Sequence, residues 1–200
     1  HNLVEQISLL NKEKRIKIVL FTSTENREGT TSIVANIGFL LANYSHKKVL
    51  VVDLNLRHPS LHACFGRHRN PGFVEVFEKE ETFENAIQKV SDNLQMLTSG
   101  RNGFNPALVL HSENIGHLLE KFKPEYDFIL VDCANLKNYK DAVMLSSYVD
   151  GVVLVISENR TNQHTIQSVL SSFNHLNSKL VGFVFNKRTF AIPKFIYERV

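Results

Sequence analysis

The feature that most constrains this chain is a series of short, almost wholly apolar runs, each closed by a polar residue and separated from the next by helical patterns. Lys17–Thr22, Val49–Asp53, Phe128–Asp132 and Gly151–Ser157 are rich in β-branched residues and lack the alternation of a strand with one wet face. Such runs must be covered on both sides, which points to central parallel strands. Val181–Asn186 makes a fifth strand and Leu94–Thr98 a short sixth. Helical periodicity falls between them, at Ser32–Asn43, Asn114–Phe122, Asp141–Tyr148 and Thr165–Leu176. Strand and helix alternating in this way build βαβ units. The expectation is a doubly wound α/β fold, a mostly parallel sheet with helices on both faces, in a single domain over residues 1–200. An amino-terminal helix over 1–15 and short helices laid over one edge at Pro59–Glu84 complete it.

A chain of 200 residues with 43% apolar content buries a core without disulfide staples. The net charge of +3 is too small to mark nucleic acid as the partner. No apolar run reaches the roughly 18–20 residues that a membrane helix needs. The abrupt opening at His1, with an amphipathic stretch of Leu3, Ile7 and Leu10, is compatible with a segment cut from a longer protein. Cys64 and Cys133 form no CxxC pair, so two reduced, largely buried thiols are expected, as in a reducing cytosol.

In open sheets of this kind the ligand binds beyond the carboxyl ends of the strands. Four segments should therefore converge: Thr22–Thr31, Asp53–Arg57, Asp132–Asn135 and Asn186–Arg188. The first strand runs into Ser23–Ser32 and then an apolar helix, the strand–loop–helix context of a phosphate cradle. A working cradle pairs glycines with a lysine on the β and γ phosphates and a hydroxyl on magnesium. Gly29 and Thr31 fit that pattern, whereas Thr30 stands at the lysine position and Arg27 where a glycine is expected.

These segments together resemble the bacterial tyrosine kinases of capsule and exopolysaccharide synthesis, a P-loop family of the deviant-Walker type. The family loop reads Gly-Glu-Gly-Lys-Ser-Thr where this chain has Arg27-Glu28-Gly29-Thr30-Thr31-Ser32. Val49–His62 is similar to the second acidic motif, Asp-x-Asp-Leu-Arg followed by Pro-Ser-Leu, and Tyr126–Asp132 to the third. The likeness continues through Val149–Val152, Asn105-Pro106-Ala107 and Pro193–Tyr197. It implies ATP or ADP and Mg²⁺ as cofactors. Arg27 through Ser32 would surround the phosphates, Asn186 would lie near the base, and Thr31, Asp53 and Asp132 would hold magnesium. Asp53 and Asp132 would carry the catalytic roles, with Asp53 orienting metal-bound water or accepting the tyrosine proton and Asp132 holding magnesium through water. Asn55 replaces the motif's second acid, and an amide accepts no proton at neutral pH.

Two further departures bear on function. The family's Glu-x-x-Arg-x-x-Arg assembly helix falls on Glu5, Ser8 and Asn11, without either arginine. The tyrosine-rich tail is reduced to Tyr197. The reading is thus a degenerate kinase with a regulatory or scaffolding role in polysaccharide export, retaining nucleotide binding. Its partner would be a membrane polysaccharide co-polymerase or that protein's cytoplasmic segment, with possible self-association, at the cytoplasmic face of the membrane. An active tyrosine autokinase or ATPase with an unusual loop is the alternative, and a partitioning-type ATPase relative the third reading. His58 and His62 straddle Pro59 and are not read as a metal pair. Arg67, His68 and Arg69 read as a solvated loop, and Phe73, Phe77 and Phe83 as packing.

Overall fold

A computed structural model describes residues 4–9, 15–112, 114–157 and 180–187, together with Gln167, Val169 and Ser171. Residues 4–9 form helix α1. The strands are β1 (Ile18–Ser23), β2 (Val49–Asp53), β3 (Ile87–Lys89), β4 (Leu94–Leu97), β5 (Phe128–Asp132), β6 (Gly151–Ser157) and β7 (Leu180–Asn186). They join in one sheet of order β3-β4-β2-β5-β1-β6-β7, parallel throughout except for β3 against β4. The expected parallel doubly wound sheet is present. The three-residue strand β3 is an addition that the sequence did not signal, being short and only half-buried.

Every residue of β1, β2, β5 and β6 is buried, and their side chains divide between two cores by the period of two. Ile18, Leu20, Leu50, Val52, Ile129, Val131, Val152 and Leu154 point to one face. There they meet α4 (Phe73–Phe77), α6 (Pro106–Leu110), α7 (Asn114–Phe122) and α8 (Asp141–Leu145). Val19, Phe21, Val49, Val51, Phe128, Leu130, Val153 and Val155 point to the other, under α1 and α2 (Thr30–Tyr44). Gly38 lets α2 lie close to the sheet: a Cβ there would meet Val51 Cγ1 at 2.8 Å.

The expected edge helices at Pro59–Glu84 resolve into α3 (Leu61–Cys64), α4 and α5 (Phe83–Ala86). The helix expected over Asp141–Tyr148 ends at Leu145, and Ser146–Tyr148 continues as a 3₁₀ turn. Of the helix expected at Thr165–Leu176, Gln167, Val169 and Ser171 are helical and the remainder lies outside the described residues. The same holds for Asn11, Arg188 and Pro193–Tyr197. Cys133 is buried as expected, but Cys64 is exposed at the end of the four-residue helix α3. Among the described residues no helix is long and apolar enough to cross a membrane.

Candidate functional site

The parallel register places the strand ends side by side. Asp53 of β2 stands opposite Asp132 of β5, and Phe21 of β1 stands on the other side of Asp132. Backbone bonds knit the segments that follow: Leu54 N donates to Asp132 O at 2.9 Å, Cys133 N to Phe21 O at 3.0 Å and Leu136 N to Ser23 O at 2.9 Å. Above this rim lies a cleft of about 720 Å³, lined by the loop from Glu25 to Ser32 and by Asn55, His58, Ser60, Cys133 and Asn135. The expected convergence of the loop, the Asp53 turn and the Asp132 turn is therefore present.

The acidic half is built from two fully buried carboxylates. Thr31 Oγ1 donates to Asp132 Oδ2 at 2.6 Å, and Ser60 Oγ is 3.3 Å from Thr31 Oγ1. Asp53 accepts from Leu61 N at 3.0 Å and from Asn55 N at 3.2 Å. Burial pushes the Asp53 carboxyl up from 3.8 to about 7, against the pull of those backbone donors. Burial, and then the neighbouring Asp53, push Asp132 well above the usual carboxylate range. Asp132 Oδ1 is buried with no hydrogen-bond partner. Two carboxylates and a hydroxyl with one unpaired acceptor suit a hard, oxygen-seeking cation such as magnesium. Among the described residues there is no larger cage of His, Cys, Asp and Glu, and His58 is exposed.

The loop half differs. Arg27 (φ 63°) and Gly29 (φ 91°) both take the left-handed conformation, and Gly29 caps α2 without a side-chain bond. Thr30 Oγ1, at the lysine position, is buried without a partner. Arg27 and Ser32 are exposed. Glu28, expected beside the phosphates, has its carboxylate turned back into the fold. It accepts from Thr24 Oγ1 at 2.8 Å, Glu25 N at 2.8 Å and Ser157 N at 2.9 Å, stapling the loop to the end of β6. Asn186 reaches the loop from β7, where its Nδ2 donates to Glu28 O at 2.8 Å, and Lys187 Nζ donates to Arg27 O.

Beside the cleft, Arg57 makes a bidentate pair with buried Asp141, at 2.9 and 3.0 Å, and lies 4.7 Å from the Tyr139 ring centroid. Asn135 Nδ2 donates to Asn26 Oδ1 at 2.6 Å. Sequence reasoning had no hold on Asp141, which meets Arg57 only through the fold, and although Ser60 and Lys187 lie in segments that the sequence singled out, their partners were not read.

A family model described as an AAA domain matches residues 16–184. The tyrosine-protein kinase YwqD of Bacillus subtilis is 31% identical over 181 residues, covering 90% of this chain and 76% of YwqD. The succinoglycan biosynthesis transport protein ExoP of Rhizobium meliloti is 29% identical over 178 residues, covering 86% of this chain but 22% of ExoP. Among solved structures, the VpsO kinase domain superposes with a TM-score of 0.85 at 27% identity, over 92% of this chain and 91% of that one. The septum site-determining protein MinD of Pyrococcus horikoshii, solved with Mg-ADP, gives a TM-score of 0.73 at 22% identity over 92% and 76%, a likeness of fold alone. Matched by a family model over most of its length and by a kinase 31% identical across 90% of it, the chain belongs to the bacterial tyrosine-kinase family, within the AAA-type domains.

Proposed function

We propose that this domain binds a magnesium–adenine nucleotide in the cleft and acts as a regulatory or scaffolding kinase relative in exopolysaccharide or capsule synthesis or export. Phosphoryl transfer is weak or absent. One observation carries the reading: the Thr31–Asp132 hydrogen bond of 2.6 Å persists beside a lysine position filled by a threonine. A site that keeps its cation-holding pair and loses its phosphate cation retains binding better than turnover.

In this reading the start of α2 faces the phosphates with its unpaired backbone N–H groups and the positive end of its dipole. Thr31, Asp132 and Asp53 would hold magnesium, which supplies positive charge to the phosphate oxygens when bound. Asp53 accepts the proton of an attacking tyrosine hydroxyl, and Asn55 donates a hydrogen bond without taking a proton. Losing the lysine removes a charged contact worth about 3–4 kcal/mol in a transition state, roughly 100- to 1000-fold in rate.

The likeness to the tyrosine-protein kinase YwqD and to the succinoglycan biosynthesis transport protein ExoP supports a kinase ancestry and a setting in polysaccharide transport. The partner is then a membrane polysaccharide co-polymerase or its cytoplasmic segment, with self-association between domains, at the cytoplasmic face of the membrane. The second reading, a slow but active autokinase, is favoured by Asp53, whose carboxyl lies near neutrality where a general base works best. Kinship to partitioning ATPases rests on fold likeness alone.

Calorimetry with magnesium and ATP, beside an assay for phosphotyrosine, tests the proposal. Measurable binding without phosphotyrosine is expected, and Thr30→Lys should tighten ATP binding by about 1.5–3 kcal/mol. Robust phosphotyrosine that Asp53→Ala abolishes would replace the first reading by the second. Failure of a Thr30→Lys, Arg27→Gly double variant to bind ATP would remove the nucleotide site.

A further inference from the structure

Lys187 follows β7 directly, and its ammonium reaches the outer side of the phosphate loop. Its Nζ donates to Arg27 O, and the adjacent Asn186 Nδ2 donates to Glu28 O at 2.8 Å. Neither residue lines the cleft. Two consecutive loop carbonyls are thus drawn outward by two consecutive side chains. In a planar trans peptide the N–H points opposite to the C=O. Drawing the carbonyls of Arg27 and Glu28 away from the cleft therefore turns the N–H groups of Glu28 and Gly29 toward it. Left-handed backbone at Arg27 and Gly29 is consistent with such an anion-facing nest.

We infer that Lys187 is the positioning cation of this phosphate loop, holding and polarising from behind the peptide whose N–H meets the anion. An ammonium on an amide oxygen draws electron density across the amide and makes its N–H a stronger donor. Part of the work of a lysine at position 30 is thereby done through the backbone, since among the described residues Arg27 is the one Lys or Arg lining the cleft. The inference rests on the reading of the cleft as a nucleotide site, and it names the residue that regulates that site's affinity.

The test uses the whole 200-residue chain, with Mg-ADP titrated calorimetrically and ¹H–¹⁵N spectra recorded without ligand. Lys187→Met should weaken Mg-ADP about tenfold, close to the loss of one charged hydrogen bond, while leaving the melting temperature nearly unchanged. Lys187→Arg should restore affinity to within about twofold, since a guanidinium can also donate to the Arg27 carbonyl. In ligand-free protein, Lys187→Met should move the Glu28 and Gly29 amide resonances, and Lys187→Arg should move them back. Equal Mg-ADP affinity in the parent and Lys187→Met, with unmoved amides, overturns the inference and leaves the nucleotide site standing. A parent chain that binds no nucleotide overturns the nucleotide reading, and the inference with it.

Discussion

The two halves of the cleft have had different fates. The acidic half, on the ends of β2 and β5, keeps Asp53, Asp132 and the hydroxyl that meets Asp132, and has Asn55 where the family motif has its second acid. The loop half has Thr30 and Arg27 where the family pattern has a lysine and a glycine. Burial explains part of the contrast. Asp53 and Asp132 are fully enclosed, and any replacement must fill the same space among packed strands. Arg27 is exposed, whereas Thr30 is buried like the acids but leaves its hydroxyl without a partner.

Glu28 gives the strongest way to break that comparison, because it belongs to the loop half yet is as deeply buried as the acids. Glu28→Ala leaves Thr24 Oγ1, Glu25 N and Ser157 N without the carboxylate that they share. A loss of about 3 kcal/mol is expected, read as a fall in melting temperature of roughly 6–12 °C. An unchanged melting temperature would show that the loop half is free to drift throughout.

The acidic half should show the opposite sign. Asp53 holds its proton up to about pH 7 in the fold but releases it near its ordinary value of 3.8 when unfolded. Between those values the folded state binds more protons, so the metal-free domain should lose stability as pH rises from about 4 to 7 and stay at the lower level above that. At pH 8, Asp53→Asn should stabilise it by about 2 kcal/mol, roughly 4–8 °C, and flatten that part of the pH profile. Thermal melts from pH 5 to 8 decide the matter. Parallel curves for parent and variant would mean that burial exacts no penalty at this position.

The smallest effect is expected at the exposed end of the loop. Arg27→Gly relieves a non-glycine residue at φ 63° and should raise stability by about 0.5–1 kcal/mol, measured by chemical denaturation. Destabilisation there would show that the arginine side chain holds the loop in a way that its exposure conceals.

The central strands were legible because runs such as Val49–Asp53 can satisfy their composition only between two layers. The same logic made Asp53 and Asp132 readable, since each is the first polar residue after an apolar run and must emerge at the sheet's carboxyl edge. The short strand β3 was not legible, because three residues carry too little periodicity to stand out. The inward turn of Glu28 was hidden as well. A glutamate in a phosphate-loop pattern reads as lying beside the phosphates until β6 is known to end beneath it with a backbone N–H to satisfy. Asp141 shares the difficulty, for Arg57 lies in a distant segment, whereas Lys187 falls within Asn186–Arg188, which was expected to meet the loop, and only its carbonyl partner was hidden.

A Cβ at Gly29 would meet Asn186 Nδ2 at 2.3 Å, the atom that holds the Glu28 carbonyl. Positions 29 and 186 are therefore one heritable unit despite their separation along the chain. Any side chain at 29 requires Asn186 to shrink or swing away and must also accept the positive φ of that turn. A turn tied in this way to a distant strand keeps its shape while the charges along the loop vary.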